Sequence, residues 1–141
     1  MKFRIYVAPA VIVFLIGIFP IEWWNLYARY PYLDKVMHVA GGMAIAWLAS
    51  ALLRKDAQRL SPLFFVLLLM GATALVGVLW EIAEYGAAAM RYTLPLVYRY
   101  FHGGDHADTI GDLASDVIGG ALLAIPLALS FRHRPKSGQG H

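Results

Sequence analysis

Cysteine is absent from the 141 residues of this chain. Its absence excludes disulfide bonds, thiolate nucleophiles and cysteine metal ligands. Charged residues are also scarce, at 15% of the chain, and the net charge of +3 arises from basic residues at the ends of apolar segments. Because no basic patch is present, the sequence does not indicate a nucleic-acid partner.

Apolar residues, by contrast, make up 60% of the chain, well above their share in an ordinary soluble domain. Four apolar segments each approach the roughly 20 residues that a helix needs to cross a bilayer. The sequence therefore predicts an all-α, integral membrane four-helix bundle. We expect helices at roughly residues 4–24, 36–53, 62–86 and 109–131 in one domain, 1–131, and a disordered cytoplasmic tail at 132–141.

Basic residues predict the orientation of this bundle. Lys and Arg are concentrated in residues 1–4, 54–59 and 132–136, at the two ends of the chain and between the second and third helices. Cytoplasmic segments carry such an excess of positive charge. We therefore expect a multi-pass protein with both termini in the cytoplasm.

Acidic residues, in contrast, collect at the opposite, outer end of the predicted helices. Seven of the nine lie there: Asp34, Glu81, Glu84, Asp105, Asp108, Asp112 and Asp116. Within each of the three later helices, the acids and His38 are spaced three or four residues apart, so each set lies on one helix face. A carboxylate inside a membrane costs about 2.5 to 3.5 kcal/mol and normally faces a partner or a wet cavity. The spacing therefore predicts an acidic pocket between helices.

Carboxylates and a neutral imidazole together are a ligand set that several divalent metals accept, and helical bundles build metal sites from such residues. We therefore predict a divalent cation of unknown identity in this pocket. Basic side chains or shared protons remain alternative partners for the acids. The predicted metal ligands are Asp34, His38, Glu81, Glu84, Asp108, Asp112 and Asp116.

Several of these acids also have simpler explanations. Asp34 and Asp108 could cap the N-termini of their helices, where negative charge is favourable. The two glutamates of the third helix lie toward its C-terminus, where the dipole disfavours them, and could instead form ion pairs with nearby basic residues. Asp112 and Asp116 lie too far along the fourth helix to cap it, so the pocket explains them better.

Aromatic residues are interleaved with arginine in the two outer loops, residues 20–33 and 90–104. Such segments suit the headgroup level of a bilayer, and guanidinium pairs well with phosphate oxygens. We predict that Lys35, Arg91 and Arg99 bind lipid headgroups. The alternative is that the basic and aromatic residues of the loops only anchor the helices.

Three motifs carry a resemblance to a known family. DKVMHVAGG (34–42), LWEIAEY (79–85) and DTIGDLASDVIGGALL (108–123) resemble, in order and helical placement, motifs of the VanZ-like membrane proteins. Glu84 and Asp116 stand where VanZ-like proteins tend to have Gln and Asn, so the chain is most similar to the related YjdF-like group. The resemblance implies a small helical protein of the bacterial envelope, located in the cytoplasmic (inner) membrane.

Position by position, Asp34 and His38 look like the acid and histidine of the first motif of the family. Glu81 looks like the acid that ends its third helix, and Asp112 with Gly119 like the Asp and Gly of its last motif. The family has no activity that could be carried over with these residues. The resemblance therefore supports the importance of the acidic pocket without assigning its chemistry.

Taken together, these features predict an outward-facing intramembrane pocket that binds a divalent cation and an amphiphilic envelope lipid, such as a phospholipid or a polyprenyl-linked phosphate. Membrane lipids are the expected partners. If the protein is an enzyme, the pocket suits metal-assisted hydrolysis or transfer, with Glu84, His38 and Asp112 as candidate catalytic residues. A proton- or ion-coupled transporter and a non-catalytic envelope protein that modulates drug susceptibility are the alternatives. The sequence does not decide between them or give the oligomeric state.

Overall fold

A computed structural model describes residues 4–21, 24–57, 59–100 and 104–132 of the chain. All regular secondary structure in these ranges is helical, which confirms the predicted all-α class for the described residues. The α-helices are α1 (Arg4–Ile16), α2 (Leu26–Arg29), α3 (Tyr32–Leu52), α4 (Pro62–Ala89), α5 (Pro95–Tyr100) and α6 (His106–Arg132), and a π-helical segment, Gly17–Ile21, continues α1. The predicted tail lies outside the described residues from residue 133 onward.

Three helices are long and apolar enough to cross a membrane. These are Tyr32–Leu52, Pro62–Ala89 and His106–Ser130. The first helix is apolar too, but its apolar stretch, Arg4–Phe19, is shorter. The structure therefore supports an all-helical protein with three candidate membrane spans, and the fourth predicted span stays a prediction.

The second, third and fourth predicted helices each have one boundary that differs from the predicted one by three or four residues. The second predicted helix begins at Tyr32 rather than residue 36, because Pro31 already has helical backbone angles and its fixed φ suits a helix start. The third begins at Pro62 as predicted, where the Ser61 side chain caps it by accepting a hydrogen bond from the backbone N–H of Phe64. It continues to Ala89, past residue 86, through a run of alanines that favours helix.

The fourth predicted helix also begins earlier, at His106. Its cap is Asp105, whose carboxylate accepts hydrogen bonds from the backbone N–H groups of Ala107 and Asp108. Asp108 therefore lies within the first turn and does not cap the helix, and neither does Asp34 in the first turn of α3. Both predicted outer loops contain a short helix, α2 in the first and α5 in the second.

Helices α3 and α6 cross with their backbones in contact. A Cβ atom on Gly42 would overlap the backbone carbonyl of Asp116, and one on Gly119 would overlap the carbonyl of Val39. Small residues permit such close approach between membrane helices. The crossing fixes the positions of the side chains on either side of it along both helices.

The other long helices pack around this pair. On α4, Gly77 lies against the side chain of Asp116, and Thr73 lies against Gly120. The first helix packs on α3, where the rings of Tyr6 and Trp47 are stacked with their centroids 5.2 Å apart. A fully apolar core fills the end of the bundle nearest the α3–α4 connection and contains Ala46, Ala57, Phe65, Leu69, Ala124 and Ala128.

Candidate functional site

The acidic end of the bundle is built mainly by α3 and α6. Lys35 contacts Asp108 and Asp112, and His38, one turn further along α3, contacts Asp112 and Asp116. The two helices therefore run parallel to each other from this end, and successive turns of α3 face successive turns of α6. Their polar side chains form a ladder from the rim of the bundle to the level of the glycine crossing. The ladder consists of Asp34, Lys35 and His38 on α3 and Asp108, Asp112 and Asp116 on α6.

Lys35 lies at the centre of the upper part of this ladder. Its Nζ is 3.3 Å from Asp34 Oδ2 and 2.7 Å from Asp112 Oδ1, and it also pairs with the carboxylate of Asp108. The backbone carbonyl of Asp108 accepts a further hydrogen bond from it at 3.3 Å. One ammonium group thus provides the counter-charge shared by three carboxylates.

His38 occupies the lower part of the ladder and is largely buried. Its Nε2 lies 3.5 Å from Asp112 Oδ1 and 3.9 Å from Asp34 Oδ1, while Nδ1 lies 3.3 Å from Asp116 Oδ1. A neutral imidazole donates from one ring nitrogen only, whereas the protonated ring donates from both. The ring can therefore connect Asp112 with Asp116 and hold a proton between them.

Two buried carboxylate oxygens have no hydrogen-bond partner among the described residues: Asp116 Oδ2 and Glu81 Oε1. The side chain of Asp116 reaches Gly77 on α4, where any larger residue would overlap this oxygen. An unsatisfied buried polar atom carries a desolvation penalty of about 1 to 3 kcal/mol, and more if charged. Asp116, only 7% exposed as a residue, is therefore a buried acid that the described residues leave partly unsatisfied.

A cavity of about 450 Å³ adjoins the ladder. Its apolar wall comes from four elements and includes Val13, Phe14, Ile18, Met37, Ile45, Val76 and Trp80. Its polar end is formed by Asp34, His38, Glu84, Asp108, Asp112 and Asp116. Ligand pockets of this size are mostly apolar with a few convergent polar groups, and this cavity has that character.

The two glutamates of α4 take different positions. Glu84 lines the cavity, where its carboxylate accepts a hydrogen bond of 2.8 Å from Nε1 of Trp80. Glu81 is not among the residues that line the cavity. Sequence reasoning singled out both glutamates but not Trp80, although the spacing of four residues between Trp80 and Glu84 is a signal for this bond.

Three of the seven predicted metal ligands are arranged to share an ion. Asp34, His38 and Asp112 each offer a ligand atom within 4.8 Å of the other two. Carboxylates and imidazole suit several divalent metals, so the donor set fits such an ion. Asp112 Oδ1, however, already accepts the Lys35 ammonium, which an incoming metal would have to displace.

The other predicted ligands have different neighbours. Asp108 pairs with Lys35, Asp116 contacts His38, and Glu84 accepts from Trp80. The three candidate catalytic residues, Glu84, His38 and Asp112, all line the same cavity, with Glu84 on α4 and the other two on α3 and α6. Their catalytic roles stay a prediction.

The residues predicted to bind headgroups do not form one group. The ammonium of Lys35 is engaged by the protein's own carboxylates. The guanidinium of Arg91 lies 4.7 Å from the ring centroid of Tyr92, and Arg91 is not among the residues lining the cavity. Arg99 lies in α5, and its side chain is outside the described part of the chain. Headgroup binding by these residues stays a prediction.

Comparison with known proteins places the chain at the level of a family. No curated protein and no solved structure matches it. The family model described as "Predicted membrane protein (DUF2238)" matches residues 3–133 and so covers nearly the whole chain, including every helix described above. The three apolar helices agree with that description. The chain therefore belongs to the DUF2238 family of predicted membrane proteins.

Proposed function

We propose that this protein binds an amphiphilic envelope lipid in its cavity, together with a divalent cation held by Asp34, His38 and Asp112. One observation carries the proposal: an apolar cavity ends at a ladder of acids, of which Asp112 and Asp116 are buried, and an oxygen of Asp116 has no partner among the described residues. The apolar wall of the cavity can hold the alkyl chain of a lipid, and its acidic end can hold a positive charge. The nearby ligand atoms of the three residues give that charge a position.

The proposed setting is the bacterial cytoplasmic membrane, crossed several times. In this proposal α1 and the π-helical segment form a fourth span, since residues 4–21 would extend over roughly 27 Å at 1.5 Å per residue. The basic residues near both ends of the chain support a cytoplasmic position for the termini. The acidic ladder then opens toward the outer leaflet.

A relation to the VanZ-like proteins, and to the YjdF-like group in particular, is part of the same proposal. The motifs that carry the likeness contain Asp34, His38, Glu84, Asp112 and Asp116, all of which line the cavity. The proposal therefore extends to those relatives: the residues at the corresponding positions would line a cavity between the corresponding helices.

If the pocket is catalytic, we propose hydrolysis or transfer at a lipid phosphate or ester. A bound divalent cation would supply polarisation of a phosphoryl or carbonyl oxygen. A metal-bound His38 would be neutral, and Asp116, which contacts Nδ1, would orient its ring. Glu84, on the other side of the cavity, can accept a proton from a nucleophile.

Elemental analysis of the purified protein tests the metal. The protein would be prepared in mild detergent without chelator, as wild type, Asp112→Asn and Asp56→Asn. Asp56 is a matched control, because it is exposed and lies 3.8 Å from Arg59 in the α3–α4 connection. We expect near-stoichiometric metal in wild type and Asp56→Asn and a loss of most of it in Asp112→Asn. Absence of metal from all three after reloading with Mn²⁺, Zn²⁺ and Mg²⁺ would contradict the metal site.

Proton- or ion-coupled transport is a second candidate, favoured by the ladder itself. Asp34, His38, Asp112 and Asp116 form a descending series of titratable groups, and intramembrane acids often serve as relays. Proton flux would be measured in proteoliposomes containing wild type or Asp116→Asn. Flux lost in the variant supports transport, whereas flux that is absent or unchanged removes the ladder from any transport path.

A further inference from the structure

The charge on the cavity lining selects among amphiphiles. Five carboxylates line it, those of Asp34, Glu84, Asp108, Asp112 and Asp116. The only basic group among the described lining residues is the imidazole of His38. Lys35 contacts three of the acids but is not among the lining residues, and no arginine is.

The proposed metal does not reverse this sign. With all five lining carboxylates ionised, the two charges of a divalent cation and the one charge of Lys35 leave two negative charges without compensation. Without a metal, the basic side chains that contact these acids in the described part of the chain are Lys35 and His38, two groups for five lining carboxylates. Uncompensated charge in a low-dielectric site is costly, and a positively charged ligand head relieves it, as a proton does, with or without the metal.

The walls of the cavity also suit a cationic head. Asp116 Oδ2 is buried, has no partner in the described part of the chain, and belongs to a residue that lines the cavity. The carboxylate of Asp116 could accept from an ammonium group in the cavity a charge-assisted hydrogen bond, which is stronger than a neutral one. Phe14 and Trp80, whose rings meet edge to face with centroids 6.0 Å apart, add aromatic surface that attracts cations.

A phosphate head would meet the opposite conditions. It would lie against carboxylates of its own sign, and no guanidinium or ammonium among the described lining residues is available to neutralise it. Only a metal bridge between the phosphate and the acids would offset that repulsion. An ammonium head can therefore pair with the acids directly, whereas a phosphate head needs a metal between itself and the acids.

We infer that the cavity selects amphiphiles whose head is a positively charged amine, with the alkyl chain against the apolar wall and the ammonium on Asp116 and its neighbouring acids. This inference rests on the proposed function only in taking the cavity as an amphiphile site. It does not require the metal. The amine can belong to a membrane lipid or to a free cationic amphiphile, and both share this chemistry.

The test compares two probes that differ only in the head, dodecylammonium and dodecyl phosphate. Binding would be followed by tryptophan fluorescence in maltoside micelles, since Trp80 lines the cavity, first with a chelator and then with Mn²⁺. We expect dodecylammonium to bind at least about tenfold more tightly than dodecyl phosphate, a difference of about 1.4 kcal/mol. The preference should persist in Mn²⁺.

Substitutions inside and outside the cavity test where the amine binds. Asp116→Asn should weaken dodecylammonium about tenfold, whereas Asp56→Asn, at the exposed position far from the cavity, should leave its affinity unchanged. If Asp116→Asn does not fold, Glu84→Gln replaces it, because the amide keeps an acceptor for Trp80 and removes one lining charge. Equal affinity in the cavity variant and the Asp56 control would place the amine elsewhere and overturn the inference.

The remaining outcomes separate this inference from the proposed function. Dodecyl phosphate that binds as well as the amine, or that overtakes it in Mn²⁺, would overturn the inference and leave the amphiphile site standing. Binding of neither probe in either condition would overturn both. Adding phosphatidylethanolamine to the micelles distinguishes the sources: competition identifies an amine-headed lipid and its absence a free amphiphile, and both results support the amine class.

Discussion

Helices α3, α4 and α6 enclose different interiors at their two ends. At one end they bury an apolar core around Phe65 and Leu69, which are 2% and 0% exposed. At the other end the same helices, joined by α1, surround a cavity whose polar end contains the buried acids Asp112 and Asp116. The end that contains the apolar core, the filled end, contributes packing energy to stability. The acidic end contains the cavity, and buried carboxylate oxygens near it have no hydrogen-bond partner among the described residues. The difference indicates that the bundle's stability comes mainly from one end, and the ligand chemistry that we propose belongs to the other.

A glycine crossing separates the two ends. Gly42 and Gly119 bring the backbones of α3 and α6 into contact between the apolar core and the acid ladder. Because the crossing holds both helices in one register, Asp116 stays next to His38 although its second oxygen has no partner in the described ranges of the chain. The backbone contact at the crossing therefore keeps Asp116 in position, although burying an unsatisfied carboxylate oxygen is unfavourable.

Removing side-chain volume from the filled end should have the largest effect. Leu69→Ala should lower the free energy of unfolding by about 2 to 5 kcal/mol, because Leu69 is fully buried in the apolar core. Thermal unfolding in detergent measures the change. Leu67→Ala, at a position 54% exposed, is the control and should cost much less. Equal losses in the two variants would contradict the assignment of stability to the filled end.

A methyl group at the crossing should have the next largest effect. Gly42→Ala should destabilise the protein by about 1 to 3 kcal/mol, because its Cβ would overlap the backbone of Asp116 and push α3 and α6 apart. The neighbouring Gly41 has open space at its Cβ, so Gly41→Ala should be neutral or stabilise the helix by up to about 1 kcal/mol. Thermal unfolding of the two variants measures the difference in stability. A destabilised Gly41→Ala together with an unaffected Gly42→Ala would contradict the close contact of α3 and α6 at Gly42.

Within the acidic end, Lys35→Met should produce two opposite changes. Stability in chelator should fall by about 1 to 2 kcal/mol, because Asp108 and Asp112 lose their shared donor. Affinity for Mn²⁺ should rise about tenfold, because the ammonium no longer occupies Asp112 Oδ1. Thermal unfolding and metal titration measure the two effects, with Lys55→Met in the exposed α3–α4 connection as the control. Unchanged metal affinity would show that Lys35 does not compete with the ion.

The smallest effect should come from the second outer loop. Arg91→Gln should change the free energy of unfolding by less than about 0.5 kcal/mol, because Arg91 is exposed and its guanidinium lies over the exposed Tyr92 ring. Dodecylammonium affinity should stay within about twofold of wild type, measured as above. A larger loss than in Asp116→Asn would favour the non-catalytic binder whose aromatic loops carry the ligand.

Helical spacing explains which side chains the sequence could group, because it determines which of them share a face. His38 lies four residues after Asp34 and near it, and Asp112 and Asp116, also four residues apart, both contact His38. The choice between Glu81 and Glu84 could not be made in this way. It depends on the rotation of α4, which is set by the contact of Gly77 with Asp116, a tertiary feature.

Other features also depended on packing between distant segments. The apolar wall from α1 requires that Phe14 approach Trp80 across the bundle, and no local pattern specifies that contact. The position of Lys35 among three acids depends on its side-chain conformation as well as on helix register. Helix ends shifted by a few residues because local caps, such as Asp105, decided them.

One measurement tests the division between the two ends most directly: the shift in thermal unfolding temperature that dodecylammonium produces in wild type, Leu69→Ala and Asp116→Asn. A ligand that binds only the folded protein raises this temperature. The account predicts a similar rise in wild type and in Leu69→Ala, from a lower starting temperature in the latter, and a clearly smaller rise in Asp116→Asn. An equal rise in all three proteins would contradict it, because the amine would then bind without the acidic end.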